Sequence, residues 1–380
     1  MGQMGDMKAD GSLSSYDIAI VLHDLRGGGA ERAMLRLAEG FHDAGRKVVL
    51  ILVQGRGEYL QEVPVTIPIV DLASQSVLGA IPKLTSWIRR SKPKKILAAL
   101  THVNIAVIVA SKLARFPGTV AISERNQISE KASAARRLRE RITYGLTPFI
   151  YRRSDAIVAV SRGVARDVAK FASVHDGRVH YVHNPVFDAH IGDRAAEASP
   201  HPWLDRPSAN VPIIIAVGRL HYQKDFETLI RAFIRLRTTR AARLIIFGEG
   251  AERPALERLA EHSPFSDDID LPGFCANPFA AMSRAHLLVL SSRWEGFPNV
   301  LVEAMSCGCP VVATDCPSGP DEILDGGRYG PLVRIGDDGA MADAIARALD
   351  TPGLAHLVAE RAKVFSVTSA SEKYLKILDQ

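Results

Sequence analysis

Glu295 and Glu303 stand with seven residues between them, and the first is followed at once by a glycine-led turn, Gly296, Phe297, Pro298 and Asn299. Pro298 suits a first helical turn, where its missing N–H would have no partner anyway, and Gly308 with Pro310 supplies a stop. The mouth of such a helix presents backbone N–H groups carrying partial positive charge, which is a seat for phosphate. Glu303 is then placed to accept hydrogen bonds from the two hydroxyls of a ribose, and Glu295 to face whatever the phosphate carries. One anion seat and two carboxylates suit a nucleotide bearing a sugar. Plain surface acids would be harder to explain, because Glu303 interrupts an apolar face of Val300, Leu301, Ala304 and Met305.

These side chains need rigid carriers. Apolar runs at 287–290 and 311–313 flank the turn and helix and read as buried parallel strands. Similar runs recur at 16–22, 48–53, 67–70, 96–100, 120–123, 156–160, 179–182, 213–217, 243–247 and 331–334, with helical stretches between them, so the fold class is α/β with parallel sheets. Polar residues cluster just past the strand ends, where such sheets bind ligands: His102; Glu124, Arg125 and Asn126; Ser161; His183 and Asn184; Gly218 and Arg219 with Lys224 beyond; and Glu249 between Gly248 and Gly250. After the first strand, Gly27, Gly28 and Gly29 permit a sharp turn and a close approach to a ligand. Arg32 stands where a dinucleotide fingerprint needs its last glycine, which argues against a nicotinamide enzyme.

Glu295 and Glu303, with EGFPN after the strand and EAMSCGCPVVATD following, resemble the EX7E signature of GT-B glycosyltransferases of the family 4 type, a resemblance that runs from about Tyr16 through nearly the whole chain. It implies two Rossmann-like, doubly wound domains facing across a cleft, with a C-terminal helix crossing back to the first domain. It also implies that Arg219 and Lys224 clamp the donor diphosphate, two fixed cations for two negative phosphates. By the same resemblance Gly28 and Gly29 border the donor diphosphate and the acceptor, and a loop ending in Phe274 pairs with the base through its backbone. Ser318 to Ile323 is similar to the family's GPxEI segment. His102 matches the family's sugar-contacting histidine only loosely, and a satisfied structural histidine remains the other reading. The transfer implied is retaining and front-face, with a phosphate oxygen helping to take the acceptor's proton.

The donor contacts expected are thus Gly28, Gly29, Gly218, Glu249, Phe274, Gly296, Phe297, Pro298, Asn299, Val300 and Glu303, and the catalytic set is Glu295, Arg219, Lys224 and His102. Glu124, Arg125 and Asn126 are expected on the acceptor. Asp268 and Asp270 spell DxD, a metal-holding motif in another glycosyltransferase fold, but they run directly into the turn read at Leu271 to Phe274. Neither a metal nor any cofactor beyond the donor is therefore expected.

Composition sets bounds. A chain of 380 residues exceeds one comfortable core, and 47% hydrophobic with 23% charged residues is ordinary for a globular α/β protein. The expected division is a disordered tail over 1–15, an acceptor-binding domain over 16–187, a linker over 188–211, a nucleotide-sugar-binding domain over 212–359 and a returning helix over 360–380. The leader is polar, with no apolar core of a signal peptide, and no apolar run approaches the ~20 residues that span a bilayer. The four cysteines, Cys275, Cys307, Cys309 and Cys316, lack a metal-binding spacing and read as small buried residues in a reducing compartment.

The net charge of +5 is unevenly spread. Arg136, Arg137, Arg139 and Arg141 share a segment with Leu138, Ile142, Leu146, Phe149 and Ile150 at helical spacing. Such a helix lies on an anionic membrane, or else its apolar side joins the core and the arginines form a solvated face. Few aromatics accompany the charge, so nucleic acid is not an expected partner. The expectation is a cytoplasmic enzyme, peripheral on the inner membrane face if the helix binds lipid, moving a hexose from a UDP-sugar to a lipid-linked or envelope glycan. An epimerase or hydrolase of the same fold, or a non-catalytic membrane-associated scaffold, are the rival readings.

Overall fold

The computed structural model describes residues 15–26, 28–188, 190–205, 211–351, 353 and 355–380. The leader expected over 1–15 lies outside the described residues except for Ser15. Two sheets carry the chain. In the first, β1 (Ile18–Leu22), β2 (Val48–Leu52), β3 (Ile69–Asp71), β4 (Lys95–Ala99), β5 (Thr119–Glu124), β6 (Ala156–Ala159) and β7 (Val179–Tyr181) stand in the order β3-β2-β1-β4-β5-β6-β7. In the second, β8 (Ile213–Val217), β9 (Arg243–Phe247), β10 (Ile269–Gly273), β11 (Leu287–Leu290), β12 (Val311–Thr314) and β13 (Leu332–Val333) stand in the order β10-β9-β8-β11-β12-β13. β1 to β5 pair in parallel, and so do β8 to β13.

The central strands are apolar end to end because helices cover both faces: β1, β2, β11 and β12 have no exposed residue. In the second sheet Ile214, Ala216, Leu244, Ile246, Leu287 and Val289 pack with Leu229, Ile230 and Phe233 of the helix Phe226–Arg237 and with Met341, Ala344 and Ile345 of the helix Asp338–Asp350. Both sheets reverse their order at one point, between β1 and β4 and between β8 and β11. Loops leaving neighbouring strands there run to opposite sides and open a crevice at the carboxyl ends.

The described chain divides into two compact units. One holds the residues up to Ser123 with Ile142–Ile157 and Leu378–Gln380; the other holds Glu124–Arg141 and Val158–Ile377. Within the first, Asp379, just past the helix Val367–Leu378, pairs with Arg46 and Lys95.

Two local readings change. The stretch 188–211, expected as an aperiodic linker, contains the short helices Ile191–Ala196 and Pro202–Asp205, pinned by the buried side chains Ile191 and Leu204. Leu271 to Gly273, expected as a turn, belong to β10, an edge strand, where a proline costs no ladder bond; Gly273 (φ 101°) ends it.

A buried polar tie fixes the helix that follows β4. Asn104, on the helix Thr101–Ala114, is fully buried and donates from Nδ2 to Ser123 O (2.9 Å) and Tyr151 Oη (3.1 Å). Asn104→Ala removes both of these buried hydrogen bonds and leaves the Ser123 carbonyl with the Leu100 N–H at 3.3 Å, so it is expected to destabilise by about 1–3 kcal/mol. A urea midpoint equal to that of the unsubstituted protein would show the tie to be unimportant.

Candidate functional site

In the second unit the candidate residues come from loops on both sides of the β8/β11 switch. Gly218 and Arg219 leave β8. Arg219 is exposed and, among the described residues, has no ion-pair partner. Lys224, from the same loop, is held: its Nζ lies 2.5 Å from Glu295 Oε1, which also accepts from Ser292 Oγ at 2.7 Å. Both side chains of the ion pair are largely buried. The two cations expected to act alike therefore differ, one free and one already neutralised by the first glutamate. Any anion brought to Lys224 would have to compete with Glu295 for it.

Glu303 sits on the helix Asn299–Ser306, half-buried, and no described residue donates to its carboxylate. The helix begins at Asn299, with Pro298 as the flanking residue, one position later than its sequence suggests. Its buried face is Leu301, Val302, Ala304 and Met305, and Val300 is only half-buried.

Gly296 has a steric reason to be glycine. A Cβ there would lie 2.0 Å from the Arg125 carbonyl oxygen, so the expected acceptor residue and the expected donor loop touch. Glu124 and Arg125 are buried and Asn126 is half-buried. Phe297 stacks on His183 with ring centroids 5.2 Å apart, and Asn299 Oδ1 accepts from Asn184 Nδ2 at 2.7 Å. In the sequence, Asn184 is marked only by its place past a strand end, and Ser318 and Glu322 only by the likeness of 318–323 to the GPxEI segment, none of them with an assigned contact. Ser292 is not singled out there, and its only signal is its position just past β11.

The loop after β9 packs closely too: a Cβ on Gly248 would lie 1.8 Å from Gly218 O, and Leu220 N donates to Glu249 O at 2.9 Å. The Glu249 carboxylate is taken by Arg253, at 2.8 and 2.9 Å. Phe274 is exposed. The DxD aspartates have protein partners: Asp268 pairs with Arg237 and Arg243, and Asp270 with His201.

In the first unit, Gly28 flanks and Gly29 opens the helix Gly29–Asp43. His102 is exposed at the second position of the helix Thr101–Ala114 and meets His23 edge to face, centroids 5.4 Å apart. Leu100, just ahead, has φ 79°, a strained value for a non-glycine residue and the kind found beside ligand sites. His23 is the residue missed here; it follows β1 as His102 follows β4.

The profile described as Glycosyltransferase Family 4 matches residues 27–189 and that of Glycosyl transferases group 1 matches 211–351, so that together they take in most of the chain. The chain belongs to the GT-B glycosyltransferases of the family 4 type. It is similar to the N-acetylgalactosamine-N,N'-diacetylbacillosaminyl-diphospho-undecaprenol 4-alpha-N-acetylgalactosaminyltransferase of Campylobacter jejuni, 29% identical over 61% of this chain and 62% of that one. It is also similar to the lipopolysaccharide core biosynthesis glycosyltransferase LpsE of Rhizobium meliloti, 26% identical over 94% of this chain and 97% of that one. The alpha-D-kanosaminyltransferase of Streptomyces kanamyceticus matches at 32% over 55% of its length, so several curated relatives are matched over less than two thirds of theirs. Among solved structures, HepE of Anabaena in complex with UDP and glucose is 19% identical with TM-score 0.80, covering 96% of this chain and 99% of that one. At that identity the likeness shows the fold.

Two features of this family 4 chain lie away from the loops. On the helix Leu138–Tyr151, Leu138, Ile142, Leu146 and Phe149 are 71, 52, 46 and 64% exposed, so the apolar stripe does not join the core, while Thr147 and Tyr151 on the other side are buried. Arg136, Arg137, Arg139 and Arg141 are exposed beside it. The four cysteines are free, and burial pushes the Cys307 and Cys316 thiols up to about 12 and Cys309 higher, leaving almost no thiolate at neutral pH.

The ion pair makes a directional prediction. Glu295→Gln frees Lys224 and is expected to tighten binding of inorganic pyrophosphate by about threefold, the scale of a partly screened pair. Weaker or unchanged binding in calorimetry would mean that Lys224 does not face the anion seat.

Proposed function

We propose that the chain is a retaining hexosyltransferase that moves a sugar from a nucleoside-diphosphate donor, with UDP favoured, to a lipid-linked glycan of a bacterial envelope. The observation that carries this reading is the arrangement at the β8/β11 switch. The loop after β8 carries Arg219, without an ion-pair partner among the described residues, and Lys224, whose Nζ meets Glu295 in the loop after β11; that second loop leads into the helix Asn299–Ser306 with its unengaged Glu303. As the sugar–phosphate bond breaks, negative charge grows on the diphosphate. Arg219, Lys224 and the N–H groups opening the helix Asn299–Ser306 would take up that charge, and because it grows as the bond breaks they would favour the transition state over the bound donor. Glu303 would hold the ribose hydroxyls. Glu295, once Lys224 turns to phosphate, would take hydrogen bonds from sugar hydroxyls. His102 is proposed to contact a sugar ring, and Glu124, Arg125 and Asn126 the acceptor. The transfer as proposed draws its leaving-group stabilisation from these protein cations and uses no bound metal.

The UDP preference is supported by the nucleotide named in the HepE complex, and the lipid-linked acceptor by the diphospho-undecaprenol named in the Campylobacter enzyme. Among the described residues no helix is long and apolar enough to cross a membrane. The exposed stripe of Leu138, Ile142, Leu146 and Phe149, rimmed by arginines, fits a surface of anionic lipid.

Saturating UDP, at about 100 times its Kd, is expected to add about 2.7 kcal/mol and raise Tm by a few degrees. Product analysis should then show sugar transferred only when acceptor is present, at a rate unchanged by EDTA. A flat melting curve with every nucleoside diphosphate would remove the donor assignment, and donor consumed without acceptor would point to a hydrolase.

On vesicles containing phosphatidylglycerol, Arg139→Ala with Arg141→Ala should weaken flotation about 30-fold, at roughly 1 kcal/mol per charge. Equal flotation with neutral vesicles, or full activity on a water-soluble acceptor alone, would remove the membrane from the proposal.

A further inference from the structure

The donor loop is gripped from outside its own strand and helix. Glu322, on the short helix Pro320–Leu324, has a largely buried carboxylate with three donors from remote segments: Arg162 N at 3.0 Å, Gly163 N at 3.2 Å and His183 Nε2 at 2.9 Å. The first two open the helix Arg162–Ala172, so the charge also sits at a positive helix end. Burial pushes the Glu322 carboxyl up, but the His183 hydrogen bond and the two N–H groups outweigh it and hold the group below the usual glutamate range. The His183 ring is in turn packed between Phe297 (5.2 Å, stacked) and Phe365 (5.4 Å, edge to face).

A second tie runs beside the first. Ser318 Oγ lies 2.6 Å from Ser161 Oγ and 3.0 Å from Gly296 O. Ser318 has φ 96° and Gly319 φ 98°, and a serine keeps that conformation only where its surroundings over-determine it. Asn184, next to His183, holds Asn299. Gly296, Phe297 and Asn299 are thus each attached to this group of side chains.

We propose that Glu322 and Ser318 are positioning residues for the phosphate seat: through His183 and Ser161 they fix the loop Gly296 to Asn299 in the conformation that receives a diphosphate. The inference rests on the nucleoside-diphosphate reading above. Neither residue needs to touch the ligand. Their effect is confined to the phosphate end, because Glu303, which would hold the ribose, lies a turn further along the helix Asn299–Ser306 and has no tie to either.

Calorimetric titration with UDP and with uridine separates positioning from general support. Glu322→Gln keeps shape but removes the charge and turns one of the two acceptor oxygens into a donor, set against either His183 and Arg162 N or Gly163 N. Its UDP Kd should rise about tenfold while its uridine Kd stays at the value for the unsubstituted protein, misplacement of a seat by a fraction of an ångström being enough for such a loss. Ser318→Gly relieves the positive φ, so the fold is kept, and is expected to weaken UDP severalfold with uridine again unchanged. If UDP affinity is unaltered in both variants, or if UDP and uridine weaken equally, the positioning role is wrong. If the unsubstituted protein binds uridine but no nucleoside diphosphate, the donor reading itself fails and the inference goes with it.

Discussion

Strands buried on both faces leave charged side chains only at their ends, and this constraint governs everything else in the protein. A carboxylate or guanidinium in the middle of β1, β8 or β11 would be stranded between helices without water. The chemistry-bearing residues therefore collect in the loops, and the reversal of strand order decides which loops splay apart enough to admit a ligand. Gly218, Arg219, Lys224, Glu295 and Gly296 all belong to the two loops beside the β8/β11 reversal. Gly28 and His102 belong to the two beside β1/β4.

Within the second unit the loops are packed as tightly as a core. Gly248 meets the Gly218 carbonyl and Gly296 meets that of Arg125 at distances that leave no room for a side chain. Such packing would give the proposed anion seat its stiffness, and electrostatic stabilisation needs stiffness: donors that must first reorganise lose part of what they contribute. Charge is arranged in the same spirit. Lys224 is neutralised by Glu295 and Glu322 by three donors, whereas Arg219 has no ion-pair partner among the described residues.

The helix Leu138–Tyr151 obeys a different rule. Its apolar residues recur at helical spacing, which normally signals a core-facing stripe, yet Thr147 and Tyr151 face inward, Ile150 is half-buried and Leu138, Ile142, Leu146 and Phe149 face out. An exposed apolar stripe rimmed by arginines is the combination that an interfacial helix requires.

The order of elements was legible from residues alone, because uninterrupted apolar runs bounded by glycine and polar residues admit few readings other than parallel strands. The strands read at 213–217, 243–247 and 287–290 coincide with β8, β9 and β11. The EX7E spacing likewise marked Glu295, Gly296 and Glu303 as a group. Periodicity could not show that Pro272 sits in a strand, since a proline's tolerance depends on which strand lies at the edge, nor which side of the Leu138–Tyr151 helix is buried. Above all it could not pair Lys224 with Glu295 or Glu322 with His183, because those contacts join segments 71 and 139 residues apart. Sequence determined which groups lie at the strand ends; only tertiary packing decided which of them neutralise one another and which stay free, because electrostatic partnership is set by distance in space.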